Sequence, residues 1–287
     1  MNTENLNEII KKTYANLTLN NFKTLGFESP LFEEPIVGIV AGDDSYYDFL
    51  KEHIGPFHWS PTEVLGLKYD ISKLNSKNIR VISMVFPQTE RTRVAQRKAI
   101  TFPSDNWVVS RGEWEPLMRE FSGALIDKLE KKGYKAVSID LQPEFKRETS
   151  DNLGIASRWS HRHSAYAAGL ATFSLTDALI SIKGMAVRVT STIIEIDPSI
   201  DSIDPTCTVK NRPGPYDWCL YYKNGTCGAC IKRCPCDAIS KNGHDKEVCS
   251  QYEKVCLPNW PAHIERGDYI FGCGLCQTKI PCEFKRP

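Results

Sequence analysis

Cys227-Gly-Ala-Cys230-Ile-Lys-Arg-Cys234-Pro235 places three thiols in one short run that closes on a proline. Around it stand Cys219, Cys249, the pair Cys273-Gly-Leu-Cys276, and Cys282. All 11 cysteines lie between Cys207 and Cys282, and the residues before them hold none, so they serve one local purpose. Disulfides of a secreted protein would come as an even number scattered through a small chain. An uneven cluster behind a large cysteine-free region reads as metal ligation in a reducing, cytoplasmic compartment.

The run is similar to that of bacterial ferredoxins. These use three cysteines spaced by two residues and a fourth after three more, followed by proline, and the fourth ligates the other cluster. The last three positions of that pattern are kept here. Asn224 stands where the first cysteine is expected, and Cys219 replaces it through a longer loop; near Lys279 a cysteine is missing, and Cys249 stands in for it. Crossing the ligands in the ferredoxin manner assigns Cys219, Cys227, Cys230 and Cys282 to one [4Fe-4S] cluster. Cys234, Cys249, Cys273 and Cys276 then hold a second. Cys207, Cys236 and Cys256 are left over and read as small buried hydrophobes. Gly228, Gly272 and Gly274 leave backbone N–H groups free to approach cluster sulfurs. Zinc is the alternative, because cysteines two apart also build tetrahedral four-thiolate sites. The Cys-x-x-x-Cys-Pro ending, followed by Ala238-Ile239, and the crossed fourth ligand favour iron and sulfide.

At 287 residues the chain is too long to be a ferredoxin alone. Its charged content of 25% and formal net charge of +1 are ordinary and advertise no polyanionic partner. Leu6, Ile9, Ile10 and Leu17 have helix spacing rather than the order of a signal peptide, and no apolar run is long enough to span a membrane. Pro35 to Gly42 and Ile79 to Phe86 read as buried strands, the first leading into a helix over Asp43 to His53 that starts on Asp43 or Asp44. Trp114, Leu117, Met118, Phe121, Leu125 and Leu129 form one stripe of a long helix between Glu113 and Lys132, stopped by Gly133. Tyr134 to Ile139 and Ala186 to Ile196 are further strands. The alternation predicts an α/β or α+β domain over residues 1–200. A proline-rich connector, Asp197 to Asp217, then leads to a ferredoxin-like two-cluster module over 201–287.

With these residues in view, the sequence resembles the family of epoxyqueuosine reductase and, more distantly, the reductive dehalogenases. The resemblance rests on Tyr166-Ala-Ala-Gly-Leu-Ala171, the Cys227 to Pro235 motif, Tyr269-Ile-Phe-Gly-Cys273-Gly-Leu-Cys276-Gln277, and the strand Ile79 to Phe86. It implies a nitroreductase-like cobalamin-binding domain in front of the two-cluster module. It also implies electrons passing through the clusters to a base-off corrinoid that reduces a small organic or nucleoside-like substrate, with an electron donor such as ferredoxin or flavodoxin. The chain lacks an Asp-x-His-x-x-Gly source of a lower ligand, as this family does. It departs from the epoxyqueuosine reductases at Gly154-Ile-Ala-Ser-Arg158, where their proton-donating aspartate is absent. Near-neutral charge argues against tRNA as a partner.

Trp159-Ser160-His161-Arg162-His163-Ser164-Ala165-Tyr166 is the densest group of titratable and aromatic side chains. A reduction that consumes protons needs an acid with a pKa near the working pH, which makes His161, His163 and Tyr166 the catalytic candidates. The resemblance places the corrinoid near the small residues that follow, Ala168, Gly169, Leu170 and Ala171, and Lys183 could reach a corrinoid amide or phosphate. The plainer reading is that the alanines pack a helix on a sheet and that Lys183-Gly184 is a turn. Asp151 and Asp177 are further candidates with loop or cap roles as alternatives. Competing functions are an electron-transfer or activator protein without a substrate of its own, and a domain that holds a flavin.

Overall fold

The computed structural model describes residues 3–26, 28–196, 212–255 and 272–287. Cys207, Cys256, Tyr269 to Phe271 and the 200/201 domain boundary lie outside the described residues.

Helix α1 (Thr3–Ala15) precedes strand β1 (Ile36–Ala41), and α2 (Tyr46–His53) and α3 (Pro61–Gly66) follow it. The N-cap of α2 is Ser45 rather than Asp43 or Asp44, and Asp44 supports the start from one position earlier, its Oδ1 accepting from the Tyr46 N–H at 2.9 Å. Pro61 opens α3 behind a reciprocal cap, in which Ser60 and Glu63 satisfy each other's backbone N–H groups. Next come β2 (Ile79–Pro87), α4 (Glu90–Lys98), α5 (Asp105–Gly112), α6 (Trp114–Glu130) and β3 (Lys135–Ser138). A small hairpin of β4 (Arg147–Ser150) and β5 (Gly154–Ser157) leads into α7 (His161–Ala167). A second hairpin, β6 (Ala171–Phe173) with β7 (Leu179–Ser181), precedes β8 (Val187–Glu195).

The main sheet has the order β1-β2-β8-β3, and each neighbouring pair is antiparallel. Side chains alternate across it as the two-residue strand period requires. Ile39, Ile82, Met84, Ala136 and Ile194 join a core with Ile9 and Ile10 of α1 and with Leu117, Phe121, Leu125 and Leu129 of α6. Val40, Val81, Val137 and Ile193 point the other way, to Leu50, Val64, Leu65, Trp159 and Ala167. The result is a mixed α/β sandwich with helices on both faces of an antiparallel sheet. The stripe read in the sequence is the buried face of α6, and Gly133 takes the left-handed φ of 86° just past its end.

The cysteine-bearing segments form short elements: α8 (Leu220–Asn224), α9 (Ala229–Arg233), β9 (Ile239–Ser240) paired with β10 (Gly243–His244), and α10 (Lys246–Val255). They are bound to the first layer by polar contacts. Gln96 of α4 donates to the Cys273 carbonyl at 2.8 Å, and Arg233 reaches back to the Ala99 carbonyl at 2.8 Å and the Gln96 carbonyl at 3.2 Å. Glu283, 2% exposed, takes two hydrogen bonds from Arg97 Nε and one from the Lys279 N–H. The Met185 and Ala186 N–H groups donate to the Cys282 and Glu283 carbonyls. At Gly184, with φ 82°, a Cβ would stand 2.4 Å from the Glu283 carbonyl, so the close approach of the two backbones requires glycine.

Candidate functional site

Two groups of thiols are gathered by these elements. Cys219 sits at the start of α8, Cys227 and Cys230 flank the start of α9, and Cys282 follows the turn at Ile280-Pro281. All four line one small cavity together with Leu175, Ile180, Met185 and Trp218. Cys234 at the end of α9, Cys249 on α10, and Cys273 and Cys276 around the turn at Gly274 line the wall of a separate, larger cleft. Cys236 is not the small buried hydrophobe that its surplus position suggested. It is half-buried on the same wall, with its Sγ 3.7 Å from that of Cys234, because Pro235 turns the chain between them and leaves both side chains facing the cleft.

The thiols are electrostatically crowded. Burial, then the neighbouring Cys219 and Cys227, push Cys230 up to about 11. Burial, then Cys230, Cys219 and Cys227, push Cys282 up to about 12. In the other group, burial and then Glu253 and Cys273 raise Cys249 to about 12, and burial with Glu253 and Cys234 raises Cys273 to about 12. Ionising four such thiols together is costly unless a polycationic group is gripped between them, which is how a cubane's iron would fit the donor set. Among the described residues, no three His, Cys, Asp or Glu side chains are grouped to hold a single metal ion.

The cleft divides into a smaller compartment of about 540 Å³ and an adjoining larger one of about 760 Å³. Arg111, Arg147, Phe145, His161, Arg162, Cys249 and Glu253 border both. Volumes of this order suit a sizeable organic ligand. Trp159, buried beneath the cleft wall, donates from Nε1 to Ser191 Oγ at 2.8 Å, and His161 Nδ1 meets the same hydroxyl at 2.8 Å. His161 Nε2 has no hydrogen bond and lies 3.8 Å from Asp140 Oδ1; Thr190 holds the other oxygen of that carboxylate. Burial lowers the pKa of His161 against the opposing pull of Asp140, so the ring is neutral at neutral pH.

The three catalytic candidates therefore separate. His161 faces the cleft. His163 turns away, with Nδ1 2.7 Å from Ser160 Oγ and its ring 4.8 Å from that of Phe173, and burial pushes its pKa down to about 3. Tyr166 shares that far side and donates to the Pro213 carbonyl at 2.9 Å. Ala168, Gly169, Leu170 and Ala171 form the turn from α7 into β6, where Ala168 and Ala171 are buried and Leu170 packs on Gly38; none of them borders either compartment. Lys183 is exposed in the turn between Ser181 and Gly184. Asp177 borders the larger compartment 3.3 Å from His244 Nδ1, and Asp151 is an exposed loop residue.

The cleft also holds groups that the sequence did not single out: Arg111, Arg147, Arg188 and Glu253. The available signal was Arg188, a cation inside the β-branched run of β8.

A stretch of 67 residues is 39% identical to an epoxyqueuosine reductase of Leadbetterella byssophila, covering 22% of this chain and 22% of that protein. The match thus spans about a fifth of the curated relative. Among solved structures, the catabolic reductive dehalogenase NpRdhA and its complex with 3-bromo-4-hydroxybenzoic acid each align at 18% identity with a TM-score of 0.43, covering 76% of this chain and 27% of that one. No family model matches. The resemblance to the epoxyqueuosine reductase family is borne out in sequence over that 67-residue stretch.

Proposed function

We propose that the chain is a cobalamin-dependent iron–sulfur reductase, with a nitroreductase-like domain followed by a ferredoxin-like module. The observation that carries this reading is the division of eight thiols between two sites, one of which opens directly onto a large cleft. In the first site Cys219, Cys227, Cys230 and Cys282 would hold one [4Fe-4S] cluster. In the second, Cys234, Cys249, Cys273 and Cys276 would hold another beside the cleft, where a corrinoid has room and aromatic walls in Trp114 and Phe145. A bound corrinoid would supply a low-valent cobalt centre able to deliver electrons to an organic substrate, and the clusters would supply those electrons singly.

The chain's own residues would position the reactants and manage protons. His161 is fixed by Ser191 at Nδ1, and its other nitrogen, Nε2, is buried without a hydrogen bond 3.8 Å from Asp140 Oδ1, where a proton can be held. Anaerobic purification followed by iron, sulfide and cobalt analysis tests the proposal. Roughly eight iron atoms per chain and retained cobalamin are expected; zinc in place of iron, or a colourless protein, sinks it.

One observation favours a second reading, an electron-transfer or activator protein. The Ala168 to Ala171 segment packs away from the cleft instead of lining it. Full iron content with no cobalamin retention, and reduction of a partner protein, would establish that role.

A further inference from the structure

The smaller compartment is bordered by more cationic side chains than carboxylates among the described residues. Four arginines, Arg111, Arg147, Arg162 and Arg188, border it, against one carboxylate, Glu253, among the described residues. Arg188 projects from β8 with its guanidinium 5.9 Å from the Trp107 ring centroid, and its buried Nε has no hydrogen-bond partner. Arg111 enters from the end of α5 and approaches the backbone at Gly272: its Nε lies 3.8 Å from where a Gly272 Cβ would stand, and Glu253 Oε1 lies 3.9 Å from that point. Burial and the charge of Arg111 push Arg188 down to about 9. Burial likewise depresses Arg111. Two guanidinium groups bordering one partly dehydrated pocket repel each other, and the single carboxylate among its described lining residues neutralises only one of them. Guanidinium forks match the paired oxygens of carboxylates and phosphates.

We propose that Arg188 and Arg111 form an oxyanion subsite that receives a carboxylate or phosphate group in the smaller compartment. The oxyanion belongs either to the substrate or to the phosphodiester of a corrinoid's nucleotide tail. The second source rests on the cobalamin reading above; the subsite itself does not.

The test compares anaerobically reconstituted wild-type protein with Arg188→Gln, Arg188→Lys, Arg111→Gln and the surface control Lys98→Gln. Binding of inorganic phosphate, benzoate, cobalamin and cobinamide, which lacks the phosphodiester, is measured by calorimetry. Iron content and circular dichroism check that each variant is folded. Arg188→Gln should weaken phosphate or benzoate binding about tenfold or more, the scale of a lost charge-assisted hydrogen-bond pair, with partial recovery in Arg188→Lys. Should Arg188→Gln not fold, Arg111→Gln carries the same expectation. A loss for cobalamin but not for cobinamide assigns the subsite to the corrinoid's phosphodiester. Phosphate or benzoate binding that is weakened while both corrinoids bind normally assigns it to a substrate. Wild-type protein that binds neither anion, or arginine variants that bind them as tightly as the control, overturns the proposal. So does an effect confined to the reduction potential of the clusters, since the arginines would then serve only those. Failure of the wild type to retain either corrinoid removes the cobalamin reading and leaves the phosphate and benzoate arms readable.

Discussion

Ser191 is buried between two side chains that need it, accepting from Trp159 Nε1 and meeting His161 Nδ1, each at 2.8 Å. Replacing it with alanine strands a buried indole N–H and frees the imidazole to rotate. Ser191→Ala should destabilise the protein by about 1–3 kcal/mol in denaturant titrations, and should impair any proton transfer through His161 more than substrate binding. His58 offers a test by pH. It is 1% exposed, stacked on Trp159 at 5.8 Å, and burial lowers its pKa from 6.5 to about 4. The folded protein therefore keeps this ring neutral where the unfolded chain protonates it, so acid favours unfolding. Its contribution is absent above about pH 6.5 and grows as the pH falls towards 4, reaching at most roughly 3 kcal/mol. Melting temperatures of His58→Phe should decline less than those of wild type across that window, and parallel curves would refute the assignment. At this scale the sequence was partly legible. The sorting of the cysteines into two groups was readable from residue type and spacing. Which histidine faces the cleft was not, because two positions of rotation on α7 separate His161 from His163, and only the packing of Tyr46 and Phe173 decides which is turned inward.

Among the elements, α6 was the most readable, since its apolar positions recur every three or four residues and each finds a place in one core. The strands were readable singly but not in order. β8 lies between β2 and β3, its pairing with β2 joining residues a hundred or more positions apart (Pro87 with Val187), and alternation within a strand carries no record of its neighbour. Arg188 was hidden for the same reason: one cation in a strand looks like a solvated position until the cleft above that strand is known. The turn at Ser181 to Gly184 was legible as a turn, but not as a docking surface. Gly184→Ala would force a left-handed alanine and drive its Cβ into the Glu283 carbonyl, at a cost of about 1–2 kcal/mol for the backbone alone. The expected outcome is faster proteolysis of the segment around Cys282 with the main sheet still protected, readable by limited digestion and mass spectrometry.

For the whole molecule, the two thiol sites predict divided consequences of single substitutions. Cys282→Ser should lower the iron content towards roughly half while the cleft-side cluster remains, and Cys249→Ser should do the converse, as read by iron analysis and electron paramagnetic resonance. Equal and complete loss in both variants would show that the sites are not independent. If iron is bound as proposed, stripping it should lower the melting temperature, because burial and neighbouring thiols raise the pKa values of Cys282 and Cys273 and a cationic centre would relieve that crowding. The hydrogen bonds from Arg97 to Glu283 span 186 positions of sequence, and those from Met185 and Ala186 tie the stretch just before β8 to residues made almost a hundred positions later. During synthesis, the Met185 and Ala186 N–H groups therefore wait without these partners until the second group of cysteines has left the ribosome. If the proposed clusters are assembled on the chain, the sheet and the cysteine-bearing segments are completed together, so shortage of iron should register as poor accumulation of the entire polypeptide rather than as a stable, empty shell.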